Sequence, residues 1–145
     1  CHGLAHPDLK ADDLAKMLGA GHPINPDFEL AKYSQGSVRH RHYPPDIKTN
    51  AEMTPQELAQ IYVIGQAAAL VSATEVVSKS SEAKYKEAQN KRVENAKAAL
   101  GGVSEAAGLL AAPTRENAIK FVQSISGKDL TGAVGGKLPA KSDYK

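Results

Sequence analysis

Two stretches of this chain distribute apolar and polar residues in opposite ways. In "IYVIGQAAALVSATEVV", residues 61–77, almost every position is apolar or small. In "EAKYKEAQNKRVENAKAAL", residues 82–100, polar side chains dominate, and a thin stripe at Tyr85, Ala88, Arg92, Ala96 and Ala99 recurs at helical spacing. The first pattern predicts a helix buried nearly all round, and the second a surface helix with one narrow contact face.

The start of this helical region is sharply marked. In "MTPQEL", Thr54 is placed to cap, Pro55 opens the first turn, and Glu57 sits three residues after the cap, where its carboxylate can return a hydrogen bond. Met53 and Leu58 occupy the two positions of a hydrophobic staple. No proline or paired glycine interrupts from there to Gly101-Gly102. A single helix over 55–100 would be about 46 residues and roughly 70 Å long. The serines at 72, 78, 80 and 81 are the candidate positions for a kink or break, and the pattern leaves one helix or two equally open. Glu82–Lys86 and Glu87–Lys91 have the favourable order for ion pairs one turn apart.

Downstream, "VSEAAGLLAA" at 103–112 and "RENAIKFVQSIS" after Pro113-Thr114 read as shorter helices. Ile119, Phe121, Val122 and Ile125 are the expected apolar face of the latter, and Gly127 its stop. Folded back on the long helix, they predict an antiparallel hairpin or small bundle over 53–127. Residues 128–145, "KDLTGAVGGKLPAKSDYK", read as a flexible basic tail.

Residues 1–52 read as an extended arm. Ala11, Leu14, Ala15 and Leu18 predict one short helix, ended by Gly19–Gly21. Pro23, Pro26, Pro44 and Pro45 disfavour longer helices and central strands. The fold class that follows is all-α: an extended Pro/His-rich N-terminal arm, then a long helix packed with shorter antiparallel helices. Arms and tails of this composition are seldom ordered alone, so neighbouring subunits are expected to hold them.

Composition narrows the function classes. The 145 residues carry 18 basic and 16 acidic side chains, five Tyr, two Phe and no Trp. No Lys/Arg stripe interleaved with aromatics marks a nucleic-acid partner. Residues 61–77 are the longest apolar run, but Gln66 and Glu75 interrupt it, and no membrane span is expected. The chain has one cysteine, so no internal disulfide forms.

That cysteine is residue 1, in "CHGLAHPDLK". A leading cysteine serves as nucleophile in N-terminal-nucleophile hydrolases and begins inteins, but both are built on sheets, which this pattern excludes. The arrangement resembles a mature bacterial lipoprotein, whose signal peptide is removed immediately before an acylated cysteine. The resemblance covers Cys1 and the arm-like stretch after it. It implies a covalent lipid on Cys1 as the membrane anchor, with no other cofactor. His2, where an Asp would signal inner-membrane retention in the enteric pattern, implies the periplasmic face of the outer membrane.

Other chemistry is sparse. The five histidines, His2, His6, His22, His40 and His42, all lie in the arm, and "RHRH" places two of them two residues apart without a completing Cys, Asp or Glu set. Asp12-Asp13, Glu82 and Glu87 read as solvated helix charge. "GAVGGK" at 132–137 follows no strand, so it is not a phosphate loop. No catalytic residue and no metal site are assigned. The expected role is structural: a subunit of a bacterial envelope machine for secretion, conjugation or pilus assembly, or a pilotin-like assembly factor. Its partners would be other subunits, with neither nucleic acid nor small-molecule substrate. A virion or phage-tail component and an immunity or inhibitor lipoprotein are the alternatives. The candidate partner interface is the small-residue stripe of the apolar segment, Ile61, Tyr62, Gly65, Ala69, Ser72 and Val76.

Overall fold

The structure is a computed structural model that describes residues 3–36 and 52–145. Among the described residues it is all-α, with seven α-helices and no strand: α1 Ala11–Gly19, α2 Leu30–Ser34, α3 Pro55–Lys79, α4 Ala83–Leu100, α5 Ala107–Ala111, α6 Arg115–Ile125 and α7 Thr131–Val134.

α3 begins where the sequence marks it. The Thr54 hydroxyl accepts from the Glu57 amide at 3.3 Å, and the Glu57 carboxylate accepts from the Thr54 amide at 2.7 Å. Met53 and Leu58 both pack against the main apolar cluster. The segment 55–100 is two helices. α3 ends at Ser80, which takes an extended backbone, with ψ 144°. The Ser80 hydroxyl then accepts from the Glu82 amide at 3.1 Å. Ser80 and Ser81 also bond the Asp12 carboxylate of α1: the Ser81 amide donates at 3.0 Å and the Ser80 hydroxyl at 3.2 Å. α4 folds back along α3 as the partner in the most extensive helix contact of the molecule.

α3 is long and apolar enough to cross a bilayer by length and composition alone, which the expectation of no span did not anticipate. In this fold it is the central helix. α4, α2, α6 and α7 pack around it, and Ala59, Val63, Ala67, Leu70 and Ala73 are buried on it. α5, α6 and α7 close one end of the hairpin. The Thr114 hydroxyl caps α6 by accepting from the Asn117 amide at 3.2 Å, and Gly127 ends that segment with a left-handed φ of +71°. Phe121 and Ile125 face the core, but Ile119 is 51% exposed. The buried face of α6 therefore runs through Ala118, Phe121, Val122 and Ile125, at spacings of three and four that leave Ile119 outside.

Residues 128–145, expected as a tail, are folded against the bundle. Leu130 and Val134 are buried. Lys137 Nζ donates to the Ala98 and Ala99 carbonyls at 2.7 and 3.1 Å, capping the C-terminal end of α4. The Lys145 amide donates to the Lys32 carbonyl at 3.1 Å. The described part of the expected arm is folded too. α1 packs on α3, and so does α2, which the sequence did not reveal. The Glu29 carboxylate caps α2, accepting from the Ala31 and Lys32 amides at 2.8 and 2.7 Å.

Candidate functional site

Two apolar clusters divide the molecule. The larger joins α3, the C-terminal half of α4 and the C-terminal helices; the smaller joins Leu4, Ala11, Leu14, Ala15, Val76 and Tyr85. The candidate interface stripe on α3 runs across both. Ile61 and Tyr62 are buried in the larger cluster, and Val76 in the smaller. These three side chains contribute to the chain's own core, because α1, α2 and α4 fold over the helix the sequence left uncovered. Gly65, Ala69 and Ser72 lie between the clusters on the same face, half-buried, and the structure does bring them together. With Phe28, Leu30, Gln66, Ala68 and Arg92 they line a cavity of about 280 Å³. A second lobe of about 100 Å³, bordered by Pro26, Asp27, Glu29 and Asn95, shares Phe28, Gln66, Ala69 and Arg92 with it.

Beside this cavity lies a buried polar cluster on α4, at positions 85, 89 and 92, one helical face. The Tyr85 hydroxyl donates to the Leu4 carbonyl at 2.6 Å. Gln89 Nε2 donates to the Gly3 carbonyl at 2.7 Å and the Leu4 carbonyl at 3.2 Å. Arg92 Nη1 donates to Gln89 Oε1 at 2.8 Å and to the Gly3 carbonyl at 3.3 Å. The backbone turns its carbonyls inward by adopting positive φ at two successive residues, Gly3 at +87° and Leu4 at +49°. Leu4 is the one described non-glycine residue with positive φ. Burial of its side chain in the smaller cluster and a doubly bonded carbonyl offset that strain. Gly3 has no such latitude for a side chain: a Cβ there would fall 2.3 Å from Arg92 Cζ.

Burial dominates the electrostatics of the cluster. Arg92 is 6% exposed, and among the described residues no carboxylate pairs with it. Burial holds its pKa below the ordinary arginine value, opposed by the neighbouring Tyr85. Burial also raises the Tyr85 phenol, so it stays a neutral donor to Leu4. Glu29, at the edge of the smaller lobe, has its pKa raised by burial, against the two amide hydrogen bonds that lower it.

The other candidate groups are placed more simply. Cys1, His2, His40 and His42 lie outside the described residues. His6 Nδ1 accepts from the Asp8 amide at 3.1 Å, and His22 Nδ1 lies 2.8 Å from the Pro23 carbonyl oxygen. Among the described residues no group of three His, Cys, Asp or Glu is placed to hold a metal ion. Lys91 pairs with Asp27 of the α1–α2 connection at 3.3 Å, where the sequence suggested Glu87. Sequence reasoning placed Arg92 on the contact face of α4 but assigned it no role, and it passed over Gln89. The available signal was an arginine in register with an apolar stripe, three residues after a glutamine. Comparison with protein-family models, with curated proteins and with solved structures finds no match to this chain.

Proposed function

We propose that this protein is a structural, non-enzymatic subunit of a bacterial cell-envelope assembly, attached to the periplasmic face of the outer membrane through an acylated Cys1. Secretion, conjugation and pilus-type machines, and pilotin-like assembly factors, are the settings that fit this reading. The observation that supports it most is the clamp on Gly3 and Leu4. These residues follow Cys1 by two and three positions, so an anchor there would join the helical body with almost no slack between. Tension on residue 1 would then pass through buried hydrogen bonds into α4, and from α4 into the central helix.

Acyl chains supply about 0.8 kcal/mol per buried CH₂, so two or three of them suffice for stable attachment. The test is membrane fractionation of the full precursor in a bacterial host, with Cys1→Ser beside the parent chain. The parent is expected to float with membranes and to carry the mass of the acyl groups on its first residue. The Cys1→Ser chain is expected in the soluble fraction. A variant that still floats, or a parent with an unmodified N-terminus, overturns the anchor; the latter result would favour a non-membrane assembly subunit.

A further inference from the structure

The open middle of the α3 stripe has a property that packing alone does not explain. Arg92, 6% exposed, borders the cavity of about 280 Å³, and no carboxylate lines that lobe. A guanidinium carries five N–H donors. Both hydrogen bonds made by Arg92 use Nη1, leaving Nε and Nη2 without a partner among the described residues. The Gln66 side-chain amide likewise makes no hydrogen bond there. None of these groups is a buried, unpartnered atom, so they are open to a ligand, and a bound carboxylate would accept charge-assisted hydrogen bonds from the guanidinium.

The remaining walls are apolar. Phe28, Leu30, Gly65, Ala68 and Ala69 surround the polar end, and Ile64 and Ala68 are exposed on the same length of α3. The walls are held in place. The Phe28 ring packs on Tyr33 at 4.9 Å between centroids, and Asn25 Nδ2 donates to the Tyr33 hydroxyl at 2.9 Å. The Glu29 cap fixes the start of α2, and Leu30 lies so close to Gly65 that a Cβ on that glycine would fall 2.8 Å from the Leu30 Cβ. The two acidic groups nearby border only the smaller lobe and are already engaged, Glu29 by the α2 amides and Asp27 by Lys91 and Asn95. The volume lies just below the usual range of small-molecule sites, about 300–1,000 Å³, which favours a compact ligand over a protein segment.

We propose that this cavity binds a small amphipathic monocarboxylate, with the carboxylate on Arg92 and Gln66 and the aliphatic or aryl tail against Phe28, Leu30 and Ala69. The site rests on the cavity alone and stands whether or not Cys1 is acylated. Because Arg92 also holds the Gly3 carbonyl, the ligand and the N-terminal clamp share one side chain.

Octanoate is the probe, titrated into the ¹⁵N-labelled chain, with octanol and octylammonium as matched controls. Saturable shifts are expected at the amides of Phe28, Leu30 and Gly65–Ser72, with octanol and octylammonium each at least about tenfold weaker. Arg92→Gln is expected to weaken octanoate by at least about tenfold. Since that variant also disturbs the clamp, Ala69→Leu is the independent probe: it fills the cavity, leaves the cation, and is expected to abolish binding while Leu4 amide protection is unchanged. Ala68→Leu, at an exposed lining position, serves if Ala69→Leu does not fold. Equal binding of octanol, wild-type affinity in the cavity-filling variant, or no saturable shift up to about 10 mM octanoate overturns the proposal.

Discussion

The two halves of this molecule are held together by different physics. Around α3, α6 and α7, the contacts are between Leu70, Leu100, Leu109, Phe121, Ile125 and Val134, with scarcely a buried polar atom among them. Around the N-terminal segment, six apolar residues form a cluster too small to hold the chain alone, and the remainder is a set of buried hydrogen bonds from Tyr85, Gln89 and Arg92. Apolar packing tolerates changes of partner so long as volume is kept. Buried hydrogen bonds are directional, and so fix one conformation of the segment they grip. The first half supplies the stability of the bundle; the second fixes where the chain leaves it.

The largest effect that would break this comparison comes from the first half. Leu70 is fully buried on α3. Leu70→Ala is expected to cost about 2–5 kcal/mol, from lost burial plus the cavity left behind. Chemical denaturation read by circular dichroism should show the midpoint falling for the whole molecule. If only the C-terminal helices melted early, the bundle would be two cooperative units, and the division drawn here would lie in the wrong place.

Gly3→Ala perturbs the second half alone. The substitution forces a Cβ onto a backbone with φ +87° and against the Arg92 guanidinium, at an expected cost of about 1–3 kcal/mol. The expected readout is local: amide exchange of Leu4 and of the buried face of α1 accelerates, while that of Leu100 is unchanged. Equal acceleration in both places would show that the clamp and the bundle unfold together.

How much of this was legible in the sequence follows the same division. The start of α3 was readable because its cap, proline, carboxylate and staple all fall within six consecutive residues. The end of α3 was not, because serine tolerates both helix interior and cap. The deciding partner, Asp12, is 68 residues away from Ser80. α2 is five residues long and capped by a glutamate instead of a residue favoured at that position, so no local pattern announces it. The folded C-terminus rests on Leu130 and Val134 and on Lys137 reaching back to α4, too few positions to show a period. The six residues expected at a partner interface all lie on α3, and Ile61, Tyr62 and Val76 are buried in the chain's own core. Which parts of that stripe are covered depends on α1, α2 and the 26–30 turn, whose docking is a matter of tertiary contact.

The smallest expected effect concerns the joint where the two halves meet. Asp12 accepts from the Ser81 amide and from both serine hydroxyls at the α3–α4 turn. These bonds, led by the backbone amide, hold its carboxyl below the ordinary value of 3.8. A folded-state pKa below the unfolded one means that the unfolded chain binds the proton more readily. The stabilisation is therefore complete above about pH 3.8 and is lost as pH falls through the lower folded value. Glu105 behaves in the same sense: its hydrogen bond from Lys128 lowers it to about 2. Asp12→Asn should flatten the part of the acid-stability profile due to this joint and leave the Glu105 part in place. It should also speed exchange of the Ser81 amide while leaving that of Leu70 untouched. Unchanged Ser81 exchange in the variant would mean that the serines alone break the helix, and that α1 is a passenger on a turn the sequence had already made.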